Sequence, residues 1–521
     1  MKVELLKEPL LEFGNDFLCD DPKTGITVGG FFSLTNKTHR TELHYALIGT
    51  NNGIEAAIDW LKSFEDEIEA SPKDLISVDD FEINDGQVVQ SESEYQLFDT
   101  EIDSNATDRT TFEQSKRLNP NFPGFRTDSI FECEFVNDDA NNKVVKEISI
   151  SNILNDKEID PLDKAIRVAD LYVNAYKEII EDSISKPTVC FLIIPAKVYD
   201  KFSSVRYHGN HYFNLRRYLK AQLISIPNSI PVQIILEDTL TGKKKSLQDL
   251  SMQAWNFIVA NYYKTSATPW TLTLKDKHTC FIGISFHKVL DSDSNVLRSS
   301  IAQAFDYEGK GVIFIGKQFE WNSKLTNTAA PHLTHDYAQD LIKKVLLEYK
   351  KYHKNQMPTR VVIHKTTDFW NVGINQEYAE VEGFKSGIHE LLGEDVEIDL
   401  VTLKGSNIKL LRTGGIYPPV RGTLLHLNQQ HGILYTTGYI PYYETFPGVH
   451  FPKAIEVEIF EGESTLKKVC DEIMALTKMN FNNCSYYDSL PITIRFAQKV
   501  GEIIQYIDDG VIPPNKYYYY M

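Results

Sequence analysis

Arg216 and Lys220 stand four residues apart in Asn214-Leu215-Arg216-Arg217-Tyr218-Leu219-Lys220, so on a helix they share one face. Gln233 follows thirteen residues after Lys220, in the apolar run Ile230-Pro231-Val232-Gln233-Ile234-Ile235-Leu236. Lys264 closes Tyr262-Tyr263-Lys264, shortly before Pro269-Trp270. Converging ammonium and amide donors are what a terminal phosphate requires, and a fold that gathers strand ends and helix ends can supply them. The spacing alone is met equally well by cations solvated on a helix surface.

No other cluster of reactive residues competes with this one. The six cysteines are scattered singly, with no CxxC pair and no histidine cluster at zinc spacing. They read as reduced, buried thiols. No apolar run approaches the roughly 18–20 residues that span a bilayer. The opening Met1-Lys2-Val3-Glu4-Leu5 lacks the charged-then-apolar form of a signal peptide, so a cytoplasmic protein is expected.

The elements that must position these residues alternate in type. A helical period runs from Pro161 to about Asp182, followed by the fully apolar Val189–Ile194, which reads as a buried parallel strand. A basic helix is expected over 214–224, a strand at Val232–Leu236 and a helix over 247–263, a Rossmann-like strand–helix succession. Further on, strands are expected at 279–287, 311–317, 360–364 and 396–403, with helices at 336–353, 376–392 and a final pair over 463–507. Short strands and turns fill 414–443. Asn121-Phe122-Pro123-Gly124-Phe125 marks a turn.

The net charge of −18 argues at face value against a polyanionic partner. Its distribution reverses the argument. Residues 1–186 carry −21 and residues 187–521 carry +3. The acid is concentrated over about 61–110, which reads as a solvated insertion or a docking face for a basic partner.

Thr477-Lys478-Met479-Asn480-Phe481-Asn482-Asn483, continued by Tyr487-Asp488-Ser489-Leu490-Pro491 and Ile494-Arg495-Phe496-Ala497-Gln498-Lys499, resembles the last helices of a PIWI domain, the RNase H-like half of an Argonaute. The order basic residue, Lys four later, Gln, then Lys resembles the MID-domain pocket that holds a guide's 5′ phosphate. By that resemblance Lys220, Gln233 and Lys264 contact the phosphate, and Arg216 stacks on or brackets the first base. The C-terminal carboxylate of Met521 joins them through a divalent ion, Mg2+. Arg421, in Pro418-Pro419-Val420-Arg421-Gly422-Thr423, together with Lys478, Asn480, Asn482 and Arg495, is implied as a contact to guide or target backbone.

The same resemblance implies a site without catalytic acids. A cleaving PIWI domain needs carboxylates to hold two Mg2+ ions. Phe281-Ile282-Gly283-Ile284-Ser285 resembles the strand ending in the first of them and ends in Ser285. Val361–Thr367 resembles the strand bearing the second, with Thr366 or Thr367 in its place. Gln498 takes the last position. A shifted register would instead recruit Asp291, Asp293 or Asp368.

The whole chain resembles a short prokaryotic Argonaute, a MID–PIWI protein without a PAZ domain. The expected fold is α/β: a short N-terminal α+β leader (1–160), a Rossmann-like MID domain (161–270) and an RNase H-like PIWI domain (271–521). The resemblance implies a guide-binding subunit of a prokaryotic defence complex, loaded with a short guide RNA and pairing with single-stranded target DNA. Its partner would carry an APAZ domain and an effector, a TIR or sirtuin-like NAD-degrading domain or a nuclease, with a higher oligomer on activation. No NAD and no membrane are expected at this chain. The alternatives are an active guide-directed endonuclease and a scaffold independent of nucleic acid.

Overall fold

Val189-Cys190-Phe191-Leu192-Ile193-Ile194 offers no polar side chain on either face, and such a run is stable between two strands in a sheet covered on both sides. In the computed structural model of the chain all six residues are buried. The strand lies between Val232–Leu236 and Glu42–Gly49, parallel to both. Glu134–Asn137 and Lys143–Val144 add to Glu42–Gly49, again in parallel. Helices Pro161–Asp182 and Leu215–Ile224 cover one face of this five-stranded sheet. Asn51–Lys62 and Leu250–Lys264 cover the other. The structure describes every residue except 1, 37, 71–118, 183–185, 208–210, 243–246, 275, 277, 289–295, 307–310, 322–329, 354, 413–417, 447–450 and 509. From residue 71 onward the expected acidic insertion therefore lies outside the described residues.

The boundary expected at residue 160 does not follow the sheets. Glu42–Gly49, assigned to a leader, is an inner strand of the first sheet. The opening residues lace both halves together: Leu11–Glu12 pairs with Thr271–Leu272, and Lys2–Leu5 pairs with Thr423–His426 in the second sheet. The turn at Phe122–Phe125 is as expected. Gly124 holds φ +84, and a Cβ there would sit 2.7 Å from the Glu65 carbonyl oxygen, so both conformation and space call for glycine.

The second sheet has nine strands. At its centre Thr279–Lys288, Arg360–Lys365 and Glu397–Ser406 run parallel, and antiparallel strands extend both sides. Two of the outer strands, Val296–Phe305 and Ala454–Glu461, were not expected from the sequence. Helices His335–Tyr352 and Glu380–Leu392 pack on one face. Leu466–Leu476 and Ile492–Ile504 pack on the other. Threonine side chains cap two of these helices, Thr334 accepting from Tyr337 N and Thr465 from Lys468 N. No helix among the described residues is long and apolar enough to cross a membrane.

Candidate nucleic-acid interface

Helix Leu215–Ile224 starts at Asn214, whose side chain accepts from Arg217 N at 3.1 Å and whose own N–H donates to the Tyr506 hydroxyl at 3.0 Å. The first bond caps the helix and the second fixes its start against the end of the last long helix. Arg217 adds an ion pair with Glu502 at 2.8 Å. Lys220, one turn further, points into the protein. Its Nζ donates to the Val232 carbonyl oxygen at 2.7 Å and to the main-chain oxygen of Met521. Lys264, the last residue of its helix, reaches the same Val232 oxygen at 3.3 Å and donates to Gln233 Oε1. A cation at a helix C-terminus also sits favourably in the field of the helix.

Lys220, Gln233, Lys264 and Met521, scattered over 302 positions of sequence, thus meet at the first two residues of one strand. The three side chains are each 1% exposed. Gln233 Nε2 is buried with no hydrogen-bond partner among the described residues. An orphaned donor of this kind costs about 1–3 kcal/mol, and two ammonium groups around one carbonyl oxygen repel each other. A bound anion relieves both. Arg216 is half-buried one turn before Lys220 on the same helix. The tyrosine run ahead of Met521 is packed in place. Tyr517 lies edge-on to Phe496, Tyr519 donates to the Ser229 carbonyl oxygen and Tyr520 to that of Pro514.

The Mg2+ implied by the resemblance fits this donor set poorly. A hard cation needs several oxygen ligands. Lys220 already donates to the Met521 oxygen, and the side-chain oxygen beside it, Gln233 Oε1, already accepts from Lys264.

Of the five residues expected along the nucleic-acid backbone, Arg421, Lys478, Asn480 and Asn482 are buried and Arg495 is half-buried. Arg421 binds both oxygens of Glu8 at 3.1 Å, the Thr477 hydroxyl at 2.8 Å and the Thr436 carbonyl oxygen. Lys478 pairs with Glu8 at 2.8 Å and donates to the carbonyl oxygens of Asp20 and Tyr486. Burial pushes the Lys478 ammonium down from its ordinary pKa, and Glu8 pulls it partly back. Arg495 pairs with Asp488 at 2.8 Å, and Asn480 donates to the same carboxylate at 2.9 Å. These bonds tie the opening segment to the last helices. Asn482, 2% exposed, keeps one orphaned donor, Nδ2. Nothing in the sequence links Glu8 to Arg421, 413 residues away.

At the other end of this face, Ile492–Ile504 lies across the central strands. Its fit needs Gly283, because a Cβ there would fall 1.8 Å from the Thr493 carbonyl oxygen. Ser285, two residues on, shares that face and is buried. Thr366 follows the last residue of Arg360–Lys365 and is half-buried. Gln498 lies on the helix, with its side chain outside the described residues. Of the other acids, Asp368 pairs with Lys404, and Asp291 and Asp293 lie outside the described residues. On the opposite face Glu380 is buried with Lys365 and His332, and His332 stacks on Trp370 at 3.8 Å. Charged residues closing or following an apolar run were the available signal for this cluster.

His364, opposite Gly283 in the sheet, shares a hydrogen bond with the Thr493 hydroxyl at 2.9 Å. Burial pushes its pKa down to about 3 from an ordinary 6.5. Between those values the unfolded chain binds a proton that the folded chain refuses, so stability falls as pH drops from about 6.5 toward 3. For this one group the slope is up to about 1.4 kcal/mol per pH unit. His364→Asn is expected to flatten the acid limb of a urea-denaturation pH series by that amount, with no change in slope above pH 7.

No protein-family model and no curated protein sequence matches the chain. Solved structures do. Clostridium butyricum Argonaute, bound to a guide DNA and a 19-mer target DNA, superposes with TM-score 0.61 at 16% identity, over 99% of this chain and 54% of its own. Drosophila Piwi gives 0.55 at 13%, over 99% and 56%. Marinitoga piezophila Argonaute, in complex with a 5′ OH guide RNA, gives 0.54 at 14%, over 97% and 59%. The chain spans a little over half the length of these proteins. At such identities the likeness is one of fold, and the fold is the mixed α/β architecture of the MID and PIWI domains of Argonaute proteins.

Proposed function

We propose that this chain is the guide-binding, target-sensing subunit of a prokaryotic anti-invader complex. It loads a short 5′-phosphorylated guide, RNA in this reading, and pairs it with single-stranded target DNA in the cytoplasm. The observation that supports this best is the orphaned Gln233 amide beside the Lys220 and Lys264 ammonium groups, a buried donor set suited to a terminal phosphate. The phosphate is held directly by these three side chains, and the divalent ion has no role in the reading.

Base pairing supplies sequence specificity in such a system, so the protein need hold only backbone and helix geometry. Affinity should then weaken with salt and vary little with guide sequence beyond its first base. Ser285, Thr366 and Gln498 supply no carboxylate for a metal pair, and the chain does not cut its target. Target pairing is instead passed to a partner protein with an APAZ domain and an NAD-degrading or nuclease effector, with assembly into a higher oligomer. No NAD binds this chain.

The test is to purify the protein together with its genomic neighbour and sequence the short nucleic acid that accompanies it. Short 5′-phosphorylated RNAs with a first-base bias are expected. A preparation that is empty and also refuses added 5′-phosphorylated guides overturns the reading.

A further inference from the structure

No open way leads to Lys220, Gln233 and Lys264: each is 1% exposed, and Met521 beside them is fully buried. Yet Gln233 Nε2 has no hydrogen-bond partner among the described residues, the mark of a donor that is used only once a ligand has come in. A closed site with an unused donor requires an element that moves.

The attachments of the tyrosine run point to residues 518–521 as that element. Up to Tyr517 the chain is anchored through main chain and core. Ile313 N donates to the Asn515 carbonyl oxygen at 2.6 Å, and the Asn515 side chain accepts from the Tyr352 hydroxyl at 3.2 Å and donates to Glu348 at 2.9 Å. Tyr517 is buried against Phe305, Phe496 and Tyr263. From Tyr518 onward the ties go to the surroundings of the pocket. The Tyr518 hydroxyl accepts from Ser266 Oγ at 3.0 Å, the Tyr519 hydroxyl donates to the Ser229 carbonyl oxygen at 2.9 Å, and the Met521 main-chain oxygen accepts from Lys220. Ser266 follows helix Leu250–Lys264, Ser229 precedes strand Val232–Leu236, and Lys220 lies on Leu215–Ile224. The segment thus reaches all three elements that carry the phosphate donors. Tyr518 and Tyr519 are only half-buried, so water competes for their hydroxyl bonds.

We propose that Tyr518–Met521 is a cover on the phosphate pocket, closed by the Met521 oxygen on Lys220 and displaced by the entering 5′ phosphate of a guide. The inference rests on the guide-binding function proposed above and adds its regulation. The Met521 oxygen leaves Gln233 Nε2 unused, whereas a phosphate has oxygens for Lys220, Lys264 and Gln233 at once. A 5′ hydroxyl has no such set of acceptors and leaves the cover shut. Apparent affinity is lowered by the fraction of molecules that are closed, so any change that loosens the cover tightens binding of the phosphorylated end by the same factor.

Tyr519→Phe and Ser266→Ala each remove one closing hydrogen bond at a residue that water already reaches. The experiment follows association of 5′-phosphorylated and 5′-hydroxyl guides of one sequence with the full chain by stopped-flow fluorescence, and reads amide exchange over residues 516–521. Each variant should speed association of the phosphorylated guide and tighten its binding by roughly two- to tenfold, with 5′-hydroxyl binding nearly unchanged. The 516–521 amides should be protected in the chain alone and exchange faster once the phosphorylated guide is bound, but not with the hydroxyl guide. Variants that leave phosphorylated-guide binding unchanged or weaken it, or amides that stay protected in its complex, make the segment a fixed wall of the pocket; either result overturns the cover and leaves guide binding standing. A native chain that does not distinguish the two guides overturns the phosphate reading and the cover with it.

Discussion

Lys264→Glu is expected to abolish retention of a 5′-phosphorylated guide, with affinity falling at least about 100-fold. The Lys264 ammonium lies within 3.3 Å of the Val232 oxygen and donates to Gln233 Oε1, so it holds the amide in place as well as bearing charge. Losing one charge-assisted hydrogen bond to the phosphate removes about 1.5–3 kcal/mol, or roughly ten- to 100-fold. Reversing the charge adds repulsion of about 4 kcal/mol at 4 Å in a partly screened setting. Lys264→Met separates the two contributions: it should lower the affinity for a 5′-phosphorylated guide by about ten- to 100-fold, toward that for a 5′-hydroxyl guide, leaving 5′-hydroxyl binding nearly unchanged. Fluorescence anisotropy with both guides makes the comparison, and unaltered thermal unfolding of the Met variant shows that the fold is intact. Equal loss for both guides would mean that Lys264 supports the fold and does not read the phosphate.

Why the meeting of Lys220, Gln233 and Lys264 was legible in the sequence, and the internal pairing of Arg421 and Lys478 was not, comes down to distance along the chain. Val189–Ile194 is apolar throughout and Val232–Leu236 is interrupted only by Gln233, so both had to be buried parallel strands, and the residue types between and after them carried a recognisable order. Lys220, Gln233 and Lys264 lie within 45 residues, and local elements alone bring them together. Arg421 and Lys478 find their counter-charge on Glu8, at the far end of the chain. Residue type announces a cation and says nothing of whether a phosphate or a carboxylate meets it. The same limit hid the place of Glu42–Gly49. Tyr45-Ala46-Leu47-Ile48 is a short apolar run, but only the finished topology shows the strand as an inner neighbour of Val189–Ile194. Ala454–Glu461 was missed because its alternating acids mask the apolar face formed by Ile455, Val457 and Ile459.

The largest expected effect on stability belongs to Arg360, which no functional reading singled out. It opens the central strand that carries His364, is 0% exposed, and donates to Asp399 at 2.7 Å and to both oxygens of Glu472 at 2.5 and 3.0 Å. Asp399 is held independently by Ser464, through its N–H at 3.2 Å and its hydroxyl at 2.7 Å. Glu472 has Arg360 as its main support, and burial pushes its carboxyl up against that pull. Arg360→Met leaves two carboxylates in a dry interior, and breaking a buried pair from one side costs about 3–5 kcal/mol. The urea midpoint should fall accordingly with an unchanged denaturant slope. Adding Glu472→Met to Arg360→Met should recover much of the loss, since replacing both partners by apolar groups is often near neutral. The pH dependence carries a sign of its own. With the guanidinium gone, Glu472 titrates above its unfolded value, and the folded variant takes up a proton that the unfolded chain does not. Its deficit should therefore shrink as pH falls from 7 toward 5. A deficit constant over that range would show that the cost of Arg360→Met comes from lost packing, with the stranded carboxylates contributing little.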